Sequence, residues 1–444
     1  MNAREKNKQK MKEWRTNYHP QATEEEINLN AEDKKILKRW YIRRNLAPTT
    51  QDEYNTVLTQ ACNIINKHIT QIYDEILDEE DKNIARQRRA YNDDIIDIQT
   101  YMKEYAQYSE NTIGGKMSII KSFYESLGVT ITQLIGRYQR SANPDNVEQE
   151  LPKELIKIMM QASGNQDKAL ISFIALTGQA QQEASNLTIQ QLINSFNKEF
   201  GEEKIKTYKD LFKYREQILE IEVAQLKMYR QKVKGHYWTY LPREVTTHIL
   251  NYLRERQYGR NNKIRITSNE EPVFVTKHGN KYTGDSLGKR VILIGKKCGF
   301  EEPENFEREI RIILQRKPGQ QRVYKSHNLR KYFATTCARY GGGVGINNRV
   351  FNGKDLADFW LGHRDNRSIN AYIQHSEDDN IAMKDMYLKV LPYLSLETEV
   401  RTFDDEEREE FENIKEEYMR MSEEVARMKE YIGLRKMEDE MLGD

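Results

Sequence analysis

Four side chains in the last third of the chain are of types that could handle a phosphate together: His327, Arg330, His363 and Tyr372. His327 and Arg330 lie in the run SHNLRKYFATT. His363 closes the apolar run DLADFWLGH, and Tyr372 ends RDNRSINAY nine residues later. A three-residue step places His327 and Arg330 on one helix face. That face would offer an imidazole and a guanidinium to one phosphate. A guanidinium suits the task because its planar fork donates two parallel hydrogen bonds and keeps its charge. A phenol beside them could attack phosphorus and hold it as a covalent ester. Singly, each residue is ordinary: His327 could cap a helix, and Tyr372 could be a half-buried aromatic. The information lies in the ordered set, with apolar helical stretches between its members.

The elements that must position this set belong to a long, polar chain. Its 444 residues are 38% hydrophobic and 31% charged, enough for two or three domains with a sizeable core. No apolar run approaches the length of a membrane span, and the first residues lack a signal-peptide core. The basic start (Arg4, Lys6, Lys8, Lys10, Lys12, Arg15) is interrupted by Glu5 and Glu13, unlike a transit peptide. Cys62, Cys298 and Cys337 are scattered without metal-ligand spacing and read as reduced thiols of a cytoplasmic protein. Net charge is only +1, but it is unevenly spread. Residues 397–444 hold 18 acidic and 8 basic side chains, a net charge of −10, which leaves +11 on the rest. A basic body with an acidic tail fits a nucleic-acid-binding protein whose tail has a separate role.

Residues 1–30 lack hydrophobic periodicity and are expected to form a flexible basic arm. Helical spacing begins at Ala31 and recurs over 47–69, 92–108 and 109–129, the last with Ser109 or Asn111 as N-cap. The charged run 78–94 reads as a loop or an exposed helix. The polar stretch around 141–151, between Pro144 and Pro152, reads as a linker. Beyond it, two helices lead to TGQAQQEASNLTIQQL (177–192), and 194–217 is charged and helical. Residues 218–242 alternate at Leu219, Ile221 and Val223, turn at Gly235 and return as a strand. A short strand is expected over 271–276, and helices over 244–259, 286–300, 353–363 and 379–394. The glycine-rich GGGVGINN (341–348) cannot be helical. It lacks the Lys-Ser/Thr of a phosphate-cradling loop and reads as a flexible connection. In the tail, Phe411, Ile414, Tyr418, Met421, Val425, Met428 and Ile432 recur by threes and fours. That is a heptad seam, suited to an intersubunit coiled coil or to packing on its own domain.

His-x-x-Arg, then Leu-Gly-His, then Tyr nine residues later, together with Thr-Gly and Glu183 in the 177–183 turn, resembles the tyrosine recombinase (phage integrase) family, and among its members the integrases of archaeal mobile elements. The resemblance covers about 31–395. It implies a mainly α fold: a helical, SAM-like core-binding domain (31–140), a linker (141–151), a mixed α/β catalytic domain (152–396) and a C-terminal heptad helix (397–444). It implies site-specific cutting and rejoining of duplex DNA through a 3′-phosphotyrosyl intermediate, without cofactor, metal or small-molecule substrate. The two domains would close on DNA as a clamp. The implied partners are duplex DNA bearing recombination sites and further copies of the chain, four around two sites, in the cytoplasm of a prokaryotic or archaeal host and associated with its nucleoid. Tyr372 would be the nucleophile, Arg330 would hold the phosphate, His363 would bond the phosphate or the developing oxyanion, and His327 would take the tyrosine proton. Lys234, or failing it Lys232, would protonate the leaving oxygen. Lys116, Lys121, Arg137 and Arg140 would contact DNA phosphates.

One position departs from the pattern. Where the family's first signature carries an arginine, this chain has Ala180. A methyl cannot replace a guanidinium, and loss of one such donor costs about 10²–10³ in rate. The expectation is therefore an impaired enzyme. With every other matching position intact, the alanine is read as an engineered replacement, ahead of a natural non-cleaving relative or an arginine supplied from elsewhere. The chain could also be a type IB topoisomerase-like enzyme, a non-cleaving architectural DNA-binding protein, or a coiled-coil scaffold, which accounts for the tail alone.

Overall fold

A computed structural model describes residues 3–19, 26–131, 151–316, 321–344, 350–363 and 377–397. The chain divides into two compact units, Met1–Val147 and Glu148–Asp444. It is mainly helical, as the sequence indicates, and among the described residues the strands are confined to the second unit. Among the described residues, no helix is long and apolar enough to cross a membrane.

The first unit consists of α1 (Ala3–Tyr18), α2 (Ala31–Arg44), α3 (Pro48–Ile65), α4 (Ile69–Asp81), α5 (Tyr91–Thr100) and α6 (Glu110–Ser126). Local sequence explains their ends. Asn30 caps α2 with a reciprocal bond to Asp33, Pro48 occupies the first turn of α3, and Ser109 caps α6 by accepting from the Thr112 amide. Asn45 and Asn66 close α2 and α3 in the left-handed conformation that asparagine tolerates. Leu37, Trp40, Ile64, Ile95, Met117 and Phe123 fill the core.

The expected flexible arm is corrected here: Ala3–Tyr18 is a helix. Trp14 is fully buried and donates from Nε1 to the Ile64 carbonyl at 3.0 Å. Arg15 donates to Asn63 Oδ1 at 2.7 Å. With only Met11, Trp14 and Tyr18 among its polar residues, the segment shows no periodicity, so its anchor could not be read from spacing. The run 78–94 contains the end of α4, a 3₁₀ turn at Arg86–Arg88 and the start of α5.

The second unit is built around α8 (Asn165–Thr177), whose residues from Ala169 onward are all buried. It packs against α7 (Lys153–Gln161), α13 (Arg243–Tyr258) and α16 (Ser326–Tyr340). The connection after α8 holds α9 (Gln181–Asn186), α10 (Ile189–Phe200), α11 (Tyr208–Lys213) and α12 (Arg215–Glu220). Strands β1 (Val223–Arg230) and β2 (Gly235–Pro242) pair antiparallel from Val223↔Pro242 to Arg230↔Gly235. Leu219 and Ile221 precede the strand rather than belonging to it. Then follow α14 (Gly284–Lys297), α15 (Arg308–Leu314), α17 (Gly353–Trp360) and α18 (Glu377–Leu394). Phe173, Leu226, Tyr240, Phe274, Phe333, Trp360 and Tyr387 are core residues.

Two local expectations change. The stretch 271–276 is not a strand: it makes only isolated bridges, Thr188↔Pro272 and Val275↔Lys281. Its apolar side chains are buried in a loop whose carbonyls at Pro272 and Val273 accept from the buried Arg256 instead of a neighbouring strand. The glycine-rich 341–348 contributes β3 (Gly342–Val344), which pairs with β4 (Val350–Asn352); 345–349 lie outside the described residues.

The described C-terminal end is pinned by Glu244, which accepts from the Ser395 hydroxyl at 2.8 Å and from the Leu396 amide at 3.1 Å. Burial pushes this carboxyl up to about 7; Glu397 adds to the rise, and the Ser395 bond opposes it. A carboxyl whose folded pKa is raised stabilises the fold below its unfolded pKa and loses that contribution as pH climbs through the folded value. The facing His248 is shifted below its ordinary value, chiefly by burial, and so acts in the opposite sense as pH falls. Comparison with Glu244→Gln isolates the carboxyl. The variant should melt close to the parent at about pH 5 and a few degrees above it at about pH 8. A melting-temperature gap that does not change with pH would refute this.

Candidate functional site

Arg330 is the centre of the site. It sits one turn into α16, which starts at Ser326, and is 7% exposed. Nη1 donates to the Gly178 carbonyl at 2.6 Å, and Nη2 donates to the Leu361 carbonyl at 2.9 Å. Nη2 also lies 3.2 Å from His363 Nε2. One guanidinium thus joins the end of α8, the end of α17 and its own helix. Burial pulls Arg330 down to about 10, the Tyr237 phenol opposes the fall, and the neighbouring Arg230 charge adds to it.

His363 is oriented from its other side. Its Nδ1 lies 2.7 Å from Asp358 Oδ1, one turn back on α17. Its pKa falls below the ordinary value, first through burial, against the Asp358 bond, with Arg330 and Arg230 adding. The network therefore assigns a neutral ring, with Nδ1–H donating to Asp358 and Nε2 accepting from Arg330.

The turn that follows α8 is held equally firmly. Gly178 caps α8 with φ +70°, and a Cβ there would lie 2.4 Å from Phe333 Cδ1. Gln179 is buried and donates to the Thr177 carbonyl at 2.9 Å, while the Tyr237 hydroxyl donates to Gln179 Oε1. Gln181 Oε1 accepts from the Ser326 hydroxyl at 2.8 Å, tying the turn to the start of α16. Ala180, between them, precedes α9 and is partly exposed. Glu183 is buried, with Oε1 3.7 Å from Nε of Arg230. Nη1 of Arg230, the last residue of β1, donates to the carbonyls of Leu361 and Gly362, each at 2.9 Å.

The structure thus brings together Arg330 and His363, and ties Arg330 to Gly178, two residues before Ala180. His327 is exposed, in the first turn of α16. Lys232 and Lys234 are exposed at the β1–β2 turn. Lys234 itself takes the left-handed position (φ 50°) that closes the turn, which the sequence assigned to Gly235; the glycine instead begins β2 and pairs with Arg230. Tyr372 lies outside the described residues, as do Arg137, Arg140 and the 403–444 seam. Of the neighbouring tyrosines that could compete as nucleophile by position, Tyr387 is fully buried and donates to the Leu176 carbonyl at 2.7 Å. Tyr393 stacks on Tyr340, ring centroids 3.9 Å apart.

In the first unit, Lys116 donates to Gln60 Oε1 at 2.6 Å and lies over the Tyr108 ring, and Lys121 is 3.6 Å from Glu125. Glu244, His248 and Glu397 bring potential ligand atoms within 4.8 Å of one another, the one such group among the described residues; the bonds of Glu244 to Ser395 and Leu396 explain it as an anchor. Sequence reading missed Arg230, Asp358, Gln179 and Tyr237. Asp358 alone left a signal, five residues before His363 in an otherwise apolar run.

No family model and no curated protein matches the sequence. Three solved structures to which it is similar are the XerA recombinase, a λ integrase dimer bound to a core site and the integrase of mycobacterium phage Brujita. The XerA recombinase is 17% identical, with 80% of this chain and 97% of that chain covered and a TM-score of 0.32. The λ integrase complex is 11% identical, with 78% and 96% covered and a TM-score of 0.42. The Brujita integrase is 11% identical, with 84% and 95% covered and a TM-score of 0.32.

Proposed function

We propose that the chain is a site-specific tyrosine recombinase, which cuts and rejoins duplex DNA through a 3′-phosphotyrosyl intermediate. The observation that carries this reading is the Arg330 guanidinium, fixed by the Gly178 and Leu361 carbonyls and against His363. These residues are far apart in sequence and are the ones whose types suit a phosphodiester. A fixed cation placed where charge develops is the main source of rate in such a reaction.

In this reading, Arg330 holds a non-bridging oxygen. The Tyr372 hydroxyl loses its proton to His327, and its oxygen bonds to phosphorus as the bond to the 5′ oxygen breaks. Lys234, with Lys232 the other candidate, gives that oxygen a proton, leaving a 5′-hydroxyl. The ester retains the bond energy for rejoining, so the chemistry calls for no nucleotide or metal. His363, neutral and directed at Arg330, keeps that guanidinium in place. The partners are duplex DNA and further copies of the chain, four around two sites, joined in part by the 403–444 seam, in the cytoplasm next to the nucleoid. A chain that stays monomeric on paired sites in light scattering would remove the assembly. Ala180 favours one other reading, an architectural protein that binds DNA without cutting.

The test uses a pool of nicked duplexes of random sequence, from which detergent-resistant protein–DNA adducts are recovered and sequenced. Adducts should form on a restricted set of sequences, and Tyr372→Phe should abolish them. An adduct that survives Tyr372→Phe would assign the nucleophile elsewhere. If neither the parent chain nor Ala180→Arg forms any, while both bind DNA, the architectural reading holds.

A further inference from the structure

We infer that Arg230 supplies the second phosphate-binding guanidinium, so that Ala180 marks a relocated arginine rather than a lost one. This rests on the recombinase reading and replaces the expectation of an impaired enzyme.

Three observations carry it. First, Arg230 and Arg330 converge on one atom. Both donate to the Leu361 carbonyl at 2.9 Å, Arg230 from Nη1 and Arg330 from Nη2. The two nitrogens are therefore no farther apart than twice that distance, as two cations gripping one phosphate would be. The proximity is also felt electrostatically, since the Arg230 charge lowers the pKa of both Arg330 and His363.

Second, the donors of Arg230 are only partly used. Nη1 serves the Leu361 and Gly362 carbonyls. Glu183, at 3.7 Å from Nε, is beyond hydrogen-bond distance, and Nη2 has no partner among the described residues. A guanidinium has five N–H donors, and enclosed ones are normally satisfied. Here the side chain is mostly enclosed, yet 15% of it remains exposed. Unspent donors beside a second guanidinium, on a side chain that solvent still reaches, are what an anionic oxygen would take up.

Third, Arg230 lies beside the segment that carries Ala180. It ends β1, opposite Gly235, and its Nε lies 3.7 Å from Oε1 of Glu183, in the first turn of α9 and three residues beyond Ala180. One hairpin then carries both the relocated cation and the candidate acid, Lys234. Arg230 forms no covalent bond in this role: it holds a non-bridging oxygen while Tyr372 and the 5′ oxygen exchange at phosphorus.

The experiment compares adduct formation by the full-length chain, Arg230→Ala, Arg230→Lys, Ala180→Arg and the double variant Arg230→Ala/Ala180→Arg. The substrate is the nicked duplex most enriched by the parent chain, or by Ala180→Arg if the parent yields none, and melting curves are recorded for each variant. The parent should form adduct, and Arg230→Ala should lose about 10²–10³-fold in rate. Arg230→Lys keeps the charge but not the fork and should lose at least about ten-fold. Ala180→Arg should bring the double variant back to within about ten-fold of the parent, because an arginine at 180 restores a cation to the phosphate without restoring the bonds to Leu361 and Gly362.

Three results overturn the inference and leave the recombinase reading standing. The first is adduct formation by the Arg230 variants at the parental rate. The second is activity of Ala180→Arg where the parent is inert. The third is an Arg230→Lys chain that loses adduct and melts like the parent while the double variant recovers nothing over Arg230→Ala, which would make Arg230 a clamp for the 361–362 turn. Adduct from none of the chains fails the recombinase reading itself.

Discussion

Arg330→Ala is expected to abolish adduct formation to within detection and to lower the stability of the second unit. The chemical loss follows from removing the cation that would hold the phosphate, about 10²–10³ in rate for one preorganised donor. The structural loss has a separate cause. The Gly178 carbonyl would lose the bond it accepts from Arg330, and a buried polar group left unpaired costs about 1–3 kcal/mol; the Leu361 carbonyl would keep only its bond from Arg230. The partial substitution is more informative. Arg330→Lys keeps one positive charge but has no fork, so it cannot serve both carbonyls and His363 together. It should melt above the alanine variant and yet cut almost as poorly. A histidine titration gives an independent check. Arg330 holds the His363 pKa down, so in Arg330→Ala the ring should titrate at higher pH than in the parent, with Arg330→Lys between. Cutting that persists in Arg330→Lys at the parental rate would show that charge alone suffices. Unchanged titration of His363 would mean that the 3.2 Å contact does not form in solution.

How far the sequence announced this site depends on whether each contribution was local. The 326–340 helix and the 353–363 helix were readable from apolar spacing, and with them the neighbourhood of Arg330 and His363. Gly178 entered through the Thr-Gly of the resemblance, not as the left-handed C-cap that the structure shows it to be. Arg230 was not readable. It is one arginine among many bases, and its meaning lies in two carbonyls 131 and 132 residues away, which no spacing rule encodes. Trp14 failed for the same reason: its partner is the Ile64 carbonyl, and nothing in the surrounding lysines and glutamates signals burial. The loop at 271–276 shows the converse. Its composition fits a strand, but Arg256 occupies the carbonyls that a neighbouring strand would have used, so local propensity yielded to tertiary contacts. The reading of Ala180 has the same limit, since it compares one position with a pattern, and the pattern says nothing of distant side chains such as Arg230.

Gly178→Ala should damage both stability and cutting, and Gly201→Ala shows why. Both glycines close helices in the left-handed region, each with φ +70°. Both alanines therefore incur the same backbone strain, about 1–2 kcal/mol. Their surroundings differ. A Cβ at 201 meets nothing within 4 Å, whereas one at 178 would lie 2.4 Å from Phe333 Cδ1 and 2.7 Å from Leu361 Cδ2. Relieving that overlap adds about 1–3 kcal/mol of packing strain. The atoms that must move are close to the site: Phe333 lies three residues beyond Arg330 on α16 and packs edge-on against Trp360, and Leu361 supplies the carbonyl that both arginines share. The Gly178 carbonyl, the other anchor of Arg330, sits on the substituted residue itself. Gly178→Ala should accordingly lower the melting temperature at least twice as much as Gly201→Ala, and adduct yield should collapse in the first and stay near the parental level in the second. Equal melting losses would mean that Phe333 and Leu361 yield without cost. Full cutting by a destabilised Gly178→Ala chain would separate the glycine's packing from the placement of Arg330.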